Sequence, residues 1–443
     1  MFNKLIFNYL KTINHRFKEI AILALLLIAT SCSSVKQLAL AIDTSEILRD
    51  SPVFSRHFTG FSLYDLDEGK TIASHNSDLL FTPASNTKLL TMYAALKSFK
   101  DSIPGILYYK DDQEVTVQAI GDPTFLNPTF PSQPIYDFLS AQSKVEVLPN
   151  KQTISPYGPG WAWDDYIYSY QAQISWWPIY GNVVHLKKTD SAFTTNPAFF
   201  EPYIDLIVDD TRQKRADRAY HFNKFTAYIP DDTTAFETFI PFETSNGLIL
   251  ELLKDTLKVE VRFAQGNTVP KDTLFSYPLD SVLARMMKPS DNFLAEQLFL
   301  MSSWQNNFDS SKEFRKYVLD VWLSELGKMV WVDGSGLSRY NLISPTDQVR
   351  LLKKCVDEFG WERIASILPT GGEGTLKDLY LSDENFIFAK TGTLSNNHNL
   401  SGMLLTKSGK RLLFSLMNNH YTRSNEEIKK AMEAFIVQVR EAY

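Results

Sequence analysis

The chain has 443 residues, of which 44% are hydrophobic and 22% are charged, and its formal net charge is −6. This length allows two or three domains, since one domain takes roughly 100–200 residues, and the composition excludes a disordered or fibrous protein. The negative net charge gives no indication of a nucleic-acid partner.

Residues 1–31 differ from the rest of the chain and are predicted to be a signal peptide. Basic residues precede an apolar run from Ile20 to Ala29, which at about ten residues is shorter than the roughly 20 that span a bilayer. Small residues follow this run and end at Cys32, an arrangement that resembles a bacterial lipoprotein cleavage box. We therefore expect an exported, periplasmic protein that is anchored to the membrane by a lipid on Cys32. Ordinary signal cleavage without a lipid is the alternative.

A β-hairpin and then a helix are predicted near the start of the mature chain. Residues 61–74 alternate apolar and polar side chains around a turn at Glu68 and Gly69, which is typical of a hairpin. Thr82 suits the N-cap of the following helix, and Pro83 suits its first position. Apolar residues then recur at helical spacing and predict that one side of this helix faces a core. These residues are Leu89, Met92, Leu96 and Phe99.

Ser85 and Lys88 lie three residues apart in the first turn of this helix, so their side chains share one face of it. A serine hydroxyl needs a base to take its proton, and an amine serves as that base only if burial or nearby cations lower its pKa. The pair is therefore a candidate centre for acyl transfer. Taken alone, the pair is a weak signal, and without further motifs Ser85 is better interpreted as an ordinary polar residue in the first turn of a helix.

The remainder of the chain divides into a strand-rich stretch and a largely helical stretch. Short β-like runs alternate with Pro, Gly and Asp turns from 101 to 271, and the clearest runs are 114–120, 203–208 and 257–263. Helices are then predicted at 279–288, 293–303, 312–326 and 347–358. Cys355 falls in the last of these helices and is expected to be a buried free thiol. The chain ends with strands at 386–389, 400–406 and 411–417 and a helix at 425–439.

Two further motifs accompany Ser85 and Lys88. Ser290-Asp291-Asn292 lies between two predicted helices, and Lys390-Thr391-Gly392-Thr393 lies at the end of the predicted strand 386–389. The ordered set S-x-x-K, S-D-N and K-T-G is that of the active sites of penicillin-binding proteins and serine β-lactamases. Each triplet is common by chance, but the three in this order on a helix start, a loop and a strand are not.

The chemistry of acyl transfer suggests a task for each of these residues. Ser85 is the expected nucleophile and Lys88 its general base, while Ser290 relays a proton towards the leaving amine and Asn292 binds the substrate backbone. Lys390 adds a second cation that helps to keep Lys88 neutral and attracts a substrate carboxylate.

The rest of the third motif is expected to bind the substrate. Thr391, Gly392 and Thr393 form the edge along which a substrate strand lies, and Gly392 leaves room for it. The backbone N–H groups of Ser85 and Thr393 are the expected oxyanion hole, in which one donor contributes roughly 3–4 kcal/mol in other enzymes.

These motifs resemble those of class C low-molecular-mass penicillin-binding proteins of the penicillin-binding protein 4 type, the peptidase S13 family. Ser290 follows Lys88 by 202 residues, and a large insertion at this point is a hallmark of that family, whereas serine β-lactamases have a much shorter spacing. The other matching stretches are Ile120–Thr124, Gly160–Asp165, Asp333–Arg339 and Gly371–Leu376. The resemblance implies a serine D-alanyl-D-alanine carboxypeptidase/endopeptidase that acts on peptidoglycan stem peptides, is inhibited by β-lactams and uses no cofactor or metal.

The resemblance also implies the fold class, which is α/β (α+β). A transpeptidase-like domain, with an antiparallel sheet flanked by helices, is expected at 45–100 plus 272–443. A β-rich insertion is expected at 101–271. The Asp333–Leu337 loop is expected to shape the domain near the site rather than to take part in the chemistry.

One candidate for substrate recognition lies in the insertion. An aromatic run from Trp161 to Trp177 surrounds the adjacent carboxylates of Asp164 and Asp165, and burying unpaired charge in a core is costly. In the resembled family an acidic residue and aromatics of the insertion help to recognise the stem-peptide side chain, which ends in an ammonium group. Asp164 is therefore the first candidate for this contact and Asp165 the alternative. The competing interpretation is that most of these aromatics form the insertion's own core.

Three other functions remain open at this point. A β-lactamase or an esterase on the same scaffold shares all three motifs, and a non-catalytic cell-wall-binding protein shares the fold. A Ser-His-Asp hydrolase and a metallopeptidase are disfavoured, because the chain has neither a G-x-S-x-G nor an H-E-x-x-H sequence.

Overall fold

The structure is a computed structural model that describes residues 43–443 except 112–113, 151, 191, 210–215, 230–234 and 267. The predicted signal peptide and Cys32 lie outside these residues. Within the described ranges, no helix is both long and apolar enough to cross a membrane.

The described chain contains the following α-helices: α1 (Thr44–Asp50), α2 (Lys88–Ser98), α3 (Pro134–Ser140), α4 (Asn246–Leu257), α5 (Leu279–Met287), α6 (Asn292–Gln305), α7 (Ser311–Tyr317), α8 (Pro345–Phe359), α9 (Trp361–Ile367) and α10 (Asn425–Ala442). Its strands are β1 (Phe58–Asp65), β2 (Lys70–His75), β3 (Ser102–Lys110), β4 (Val115–Ala119), β5 (Lys144–Val147), β6 (Val183–Lys188), β7 (Phe193–Asn196), β8 (Ile204–Val208), β9 (Ala216–Arg218), β10 (Phe225–Ile229), β11 (Phe236–Pro241), β12 (Glu260–Phe263), β13 (Asp272–Pro278), β14 (Ile387–Leu394), β15 (Asn397–Leu405) and β16 (Arg411–Asn419).

A five-stranded antiparallel sheet in the order β14-β15-β16-β1-β2 organises the part of the fold that carries the three motifs. Successive side chains of a strand point to opposite faces, so Leu412 and Phe414 pack towards α1 and α10 while Leu413 packs towards α2, α6 and α8. Both faces are therefore covered by helices, and β14 forms one edge of the sheet. The predicted fold class is confirmed.

The chain between β3 and β13 forms further sheets with a separate hydrophobic core. A five-stranded sheet has the order β12-β5-β4-β3-β13, and two three-stranded sheets have the orders β11-β6-β7 and β8-β10-β9. Buried residues of this core include Val117, Val145, Phe225 and Leu253. Two helices, α3 and α4, pack with these sheets.

Several predicted elements are confirmed with shifted ends. The hairpin of residues 61–74 is β1 and β2, and the helices at 279–288, 293–303, 347–358 and 425–439 are α5, α6, α8 and α10. The third motif extends β14 rather than following it, because Lys390 to Leu394 remain paired with β15. Cys355 is a buried free thiol, as expected.

Other predictions about local structure were wrong. The predicted helix 312–326 ends its regular part at Tyr317 and continues as a wider turn, Val318–Trp322, which brings Trp322 edge-on to Phe314. The predicted strand 257–263 begins only at Glu260, because Leu257 is the last residue of α4. The helices α1, α3, α4 and α9 were not predicted.

Candidate active site

Ser85 lies in a 3₁₀ turn, Ala84–Thr87, directly before α2. The prediction that Thr82 caps a regular helix here was wrong. The backbone of Thr82 is instead bonded to the side chains of Asn399 and Asn419 in the sheet. Ala84 then adopts a left-handed φ of 49°, a conformation that is costly for a residue with a side chain.

Two glycines hold this turn between the sheet and a loop. A Cβ atom on Gly392 of β14 would lie 2.3 Å from the carbonyl oxygen of Pro83, and one on Gly336 would lie 1.9 Å from that of Ala84. Both distances are far below van der Waals contact, so only glycine allows the backbones to approach this closely. The position of Ser85 is therefore fixed from both sides.

Lys88 is fully buried and makes three hydrogen bonds through its amine. Its Nζ lies 3.0 Å from Ser85 Oγ, 2.6 Å from Asn292 Oδ1 and 2.8 Å from the carbonyl oxygen of Ser335. A neutral amine has two N–H groups and one lone pair. It can therefore donate to Asn292 and Ser335 while its lone pair accepts from the Ser85 hydroxyl, which is the arrangement that a general base requires.

Burial lowers the pKa of Lys88 to about 8, although the carboxylates of Asp291, Asp333 and Glu296 oppose this shift. Lys390 is also buried, and burial together with repulsion from Lys88 holds its pKa well below the usual range. Placing two buried amines near each other disfavours a charge on both. A neutral Lys88 is thus accessible near physiological pH.

The Asp333–Ser338 loop supplies the carbonyl that Lys88 bonds, and two buried carboxylates hold this loop. Glu296 of α6 accepts from the N–H groups of Gly334 and Ser335 at 3.0 and 2.7 Å. Asp333 accepts from the N–H groups of Gly336 and Ser338 at 2.9 and 2.6 Å. Burial, followed by the nearby charge of Asp333, raises the pKa of Glu296 to about 7.

The second motif forms the entry to α6. Asp291 caps this helix by accepting from the N–H of Leu294 at 2.9 Å. Asn292 uses its carbonyl oxygen for Lys88 and donates one N–H to the backbone oxygen of Tyr170 at 3.0 Å. Ser290 has a left-handed φ of 67° and is not among the three partners of the Lys88 amine.

The third motif alternates its side chains between the two faces of β14. Lys390 donates to the carbonyl oxygen of Thr391 at 2.8 Å, and Gly392 faces the Ser85 turn. On the other face, Thr391 donates its hydroxyl proton to Thr375 Oγ1 at 2.7 Å, and Thr393 Oγ1 lies 2.8 Å from His398 Nδ1. Strand β14, at the edge of the sheet, thus places the third motif beside Ser85.

The aromatic run of the insertion is mostly accessible. Of its tryptophans and tyrosines, Trp177 belongs to the buried core, whereas Trp163, Tyr168 and Tyr170 are exposed. The interpretation of these aromatics as mainly core was therefore wrong. Asp164 is exposed, while Asp165 is hydrogen-bonded to the Tyr170 hydroxyl, which leaves Asp164 as the freer carboxylate.

Trp161 of the same run connects the predicted insertion to the Asp333–Ser338 loop. Its indole N–H donates to Asp333 Oδ2 at 2.8 Å. The run is also tied to α6, because Gln297 accepts from the N–H of Ser175 at 3.0 Å and donates to the carbonyl oxygen of Gly121 at 2.9 Å. Gly121, Trp161 and Ser175 are therefore hydrogen-bonded to α6 and to the loop that bears Ser335.

Sequence reasoning did not single out several residues of this site. Glu296 and His398 belong to no motif that carries a chemical meaning by itself. Thr375 lies in the matching stretch Gly371–Leu376, but no role was predicted for it. The Asp333–Leu337 loop was identified, but its contribution of a backbone carbonyl to Lys88 was not. Since a backbone oxygen leaves no signature in the side-chain pattern, only the fold reveals this contact.

Comparison with known proteins identifies a consistent set of relatives. The model of the D-Ala-D-Ala carboxypeptidase 3 (S13) family matches residues 40–439. The D-alanyl-D-alanine carboxypeptidase DacB of Haemophilus influenzae is 23% identical over 457 residues, which cover 91% of this chain and 93% of that protein. The D-alanyl-D-alanine carboxypeptidase of Actinomadura sp. (strain R39) is 25% identical over 452 residues, which cover 86% and 81%.

Solved structures show the same fold. The crystal structure of penicillin binding protein 4 (dacB) from Haemophilus influenzae superimposes with a TM-score of 0.72 at 20% identity, covering 90% of this chain and 98% of that one. The same protein complexed with a novel β-lactam gives a TM-score of 0.67 at 19% identity, with the same coverage.

Proposed function

The chain belongs to the D-Ala-D-Ala carboxypeptidase S13 family and is a serine-type D-Ala-D-Ala carboxypeptidase, and we propose that it cleaves peptidoglycan stem peptides through an acyl-enzyme on Ser85. The observation that carries this assignment is the 3.0 Å contact between Ser85 Oγ and Lys88 Nζ. It joins a half-buried hydroxyl to an amine whose pKa burial lowers to about 8.

Acylation begins when Ser85 Oγ attacks the carbonyl carbon of the penultimate D-alanine and Lys88 accepts the hydroxyl proton. The developing oxyanion accepts hydrogen bonds from the backbone N–H groups of Ser85 and Thr393. When the tetrahedral intermediate collapses, the C–N bond breaks and the terminal D-alanine leaves with a proton on its amine, which Ser290 relays. The support for this oxyanion hole is the close approach of Gly392 to the Ser85 turn.

Deacylation repeats the same steps with water. Lys88 accepts a proton from the water that attacks the acyl carbon, and the proton returns to Ser85 Oγ as the ester bond breaks. Asn292 holds the Lys88 amine and offers its second N–H to the substrate backbone, and Lys390 attracts the C-terminal carboxylate. Because acyl transfer to a β-lactam uses the same groups, we propose that β-lactams acylate Ser85 and inhibit the enzyme.

Labelling with a fluorescent penicillin tests the role of Ser85. Wild-type protein is expected to become labelled and to release D-alanine from a D-Ala-D-Ala peptide, and Ser85→Ala is expected to do neither. Labelling that persists in Ser85→Ala would overturn the assignment. Turnover of the peptide by wild-type protein also distinguishes this function from a β-lactamase, an esterase and a non-catalytic binding protein.

We also propose that residues 101–271 form an inserted domain and that Cys32 is the lipidated N-terminus of a periplasmic protein. The separate hydrophobic core between β3 and β13 supports the first proposal. The small residues before Cys32 support the second. Mass spectrometry of the mature protein tests it, since a diacylglycerol on Cys32 is expected, and an unmodified Cys32 or cleavage elsewhere would rule out the anchor.

A further inference from the structure

A cavity of about 490 Å³ lies on the face of β14 that carries Thr391 and Thr393. Lys377, Lys429 and Lys430 line it, together with Asp378 and Glu426. Lys430 is paired with Glu426, and Lys377 lies 4.0 Å from Asp378. Among the described residues that line the cavity, the three lysines outnumber the two carboxylates, and Lys429 supplies the excess positive charge. The cavity therefore favours an anionic group beside the two threonines.

His398 projects from β15 into this face, directly opposite Thr393 in the antiparallel register. Its side chain is buried, with 3% of its surface exposed, and its Nδ1 lies 2.8 Å from Thr393 Oγ1. Burial, followed by the charges of Lys429 and Lys390, lowers the pKa of His398 to about 3. The imidazole is therefore neutral near pH 7 and carries a single N–H.

The position of that N–H decides what Thr393 can do. If Nδ1 carries the proton, it donates to Thr393 Oγ1 and leaves the threonine O–H to donate to a ligand. If Nδ1 is bare, the threonine donates to the imidazole and presents only lone pairs. An anion requires the first arrangement, and the cation in excess in the cavity favours an anion.

The Thr391 hydroxyl cannot donate to a ligand in the same way, because its proton is already donated to Thr375 Oγ1 at 2.7 Å. Thr393 is thus the hydroxyl on this face of β14 whose proton a neighbour can direct towards a ligand. We propose that His398 is a positioning residue that donates through Nδ1–H to Thr393 and thereby fixes the Thr393 hydroxyl as a donor to the C-terminal carboxylate of the stem peptide. This inference rests on the proposed function, since it concerns the substrate of that site.

Two peptides that share the scissile bond separate this role from a merely structural one. The first ends in D-Ala-D-Ala with a free carboxylate, and the second ends in D-Ala-D-Ala carboxamide. His398→Leu is expected to raise the KM for the acid about tenfold or more, because a hydrogen bond to a charged group is lost. The KM for the carboxamide and the kcat for both peptides are expected to change less than about threefold.

His398→Asn is the matched variant, since its amide nitrogen can occupy the place of Nδ1 and keeps a donor. It is expected to restore the KM for the acid to within about threefold of wild type. Thr393→Val, which keeps the imidazole, is expected to raise the KM for the acid at least as much as His398→Leu does, and to raise it more than the KM for the carboxamide. The double variant His398→Leu/Thr393→Val is expected to lose no more than Thr393→Val alone, because the two residues act as one unit.

Three results would each overturn the role of His398. The first is an equal rise in KM for both peptides in His398→Leu, and the second is an additive rise in the double variant. The third is a Thr393→Val variant whose KM rises equally for acid and carboxamide. The proposed function fails in a different way, namely if wild-type protein turns over neither peptide or if Ser85→Ala retains turnover. End-point labelling of the His398 variants with penicillin is expected to stay stoichiometric, which shows that the serine site is intact. If His398→Leu does not fold, Thr393→Val and His398→Asn still decide the question.

Discussion

Lys88 is the residue whose charge the rest of the site controls. Burial favours the neutral amine, whereas Asp291, Asp333 and Glu296 favour the ammonium form, and the balance places its pKa near the pH at which a general base is most useful. The carboxylates also hold the helix and loop that position the amine. The same groups therefore fix its geometry and limit its basicity.

The pH dependence of acylation should follow this balance. The second-order rate constant for penicillin acylation is expected to rise with pH through a midpoint near 8, because the neutral amine becomes populated as the pH passes the pKa of Lys88. Asp291→Asn keeps an oxygen that can cap α6 but removes a negative charge that raises this pKa, so the midpoint is expected to move to lower pH. Stopped-flow acylation between pH 5.5 and about 9.5 measures both curves.

Lys88→Arg is the companion variant, since its guanidinium cannot lose a proton at these pH values. Acylation is expected to fall by roughly 100-fold or more and to show no midpoint near 8. A wild-type rate in Lys88→Arg, or an unchanged midpoint in Asp291→Asn, would show that Lys88 is not the base or that Asp291 does not act on it.

Asp164 is predicted to contact the ammonium group of the stem-peptide side chain. Asp164→Ala is expected to lower kcat/KM for a diaminopimelate-containing peptide by about three- to fivefold, because an exposed ion pair contributes roughly 1 kcal/mol at most. Acylation by a small β-lactam, which lacks that side chain, is expected to stay unchanged. An equal loss on both substrates would mean that Asp164 only supports the insertion, and a loss confined to Asp165→Ala would move the contact to that residue.

Sequence reasoning was effective for residues whose chemistry repeats in fixed short patterns. The proximity of Ser85 and Lys88 follows from helical spacing and is confirmed by the contact of 3.0 Å. Glu296 and His398 are different, since each acts through a neighbour that is distant in sequence or across a strand pair. Such residues become visible only when the register of the sheet and the packing of α6 are known.

At the scale of secondary structure, strand β14 and the turn before α2 behave as one unit. Threonine is a favourable N-cap residue, but the side chains of Asn399 and Asn419 in the sheet form hydrogen bonds with the backbone of Thr82. A regular helix start is therefore replaced by a 3₁₀ turn. Tertiary contacts of this kind override local preference and could not be read from the spacing of apolar residues.

The contact between Gly392 and this turn yields a test. Gly392→Ala would place a methyl group 2.3 Å from the Pro83 carbonyl oxygen, so β14 must move away from Ser85 and separate the two N–H groups of the proposed oxyanion hole. Acylation is expected to fall by about 100-fold, as when a donor of an oxyanion hole is removed. The rate of penicillin acylation and the circular dichroism spectrum are the measurements.

Gly247→Ala in α4 is the matched control, because the nearest atom to its added Cβ would be 4.0 Å away. It is expected to leave acylation unchanged and to stabilise the helix by up to about 1 kcal/mol. If Gly392→Ala acylates at the rate of this control, the close approach of β14 has no catalytic importance.

Helices and strands of the part that carries the three motifs were predicted better than those between β3 and β13. Helix α4 was missed although Ile249, Leu252 and Leu253 recur at helical spacing, because turn residues on both sides of it favoured short strands. The last three strands extend beyond their predicted ends, because polar residues such as Asn397 and Asn419 continue the strand pairing. Asn419 also bonds the backbone of Thr82, just before the turn that carries Ser85.

Across the whole molecule, the hydrogen bond between Trp161 and Asp333 joins the proposed insertion to the Asp333–Ser338 loop. Trp161→Phe removes the indole N–H and with it a bond to a charged acceptor, which contributes about 1.5–3 kcal/mol. Acylation is expected to slow several-fold because Asp333 also holds the loop that bears Ser335. Limited proteolysis within residues 157–177 is expected to become faster.

Trp163→Phe is the control for this variant, because Trp163 belongs to the same run and is 74% exposed. It is expected to change neither the acylation rate nor the rate of proteolysis. If Trp161→Phe behaves like Trp163→Phe, the proposed insertion does not support the Asp333–Ser338 loop through this bond.

The hydrogen bond between Lys88 and Asn292 spans 204 positions of the chain. Contacts between residues so far apart close late in folding, because the loop entropy must be overcome before they form. We therefore expect a refolding chain to gain a reactive serine only after the intervening segment has collapsed and docked. The protein can be diluted from denaturant and its covalent labelling by penicillin followed over time. Labelling is expected to appear later than the early change in tryptophan fluorescence, because it reports the last step of assembly.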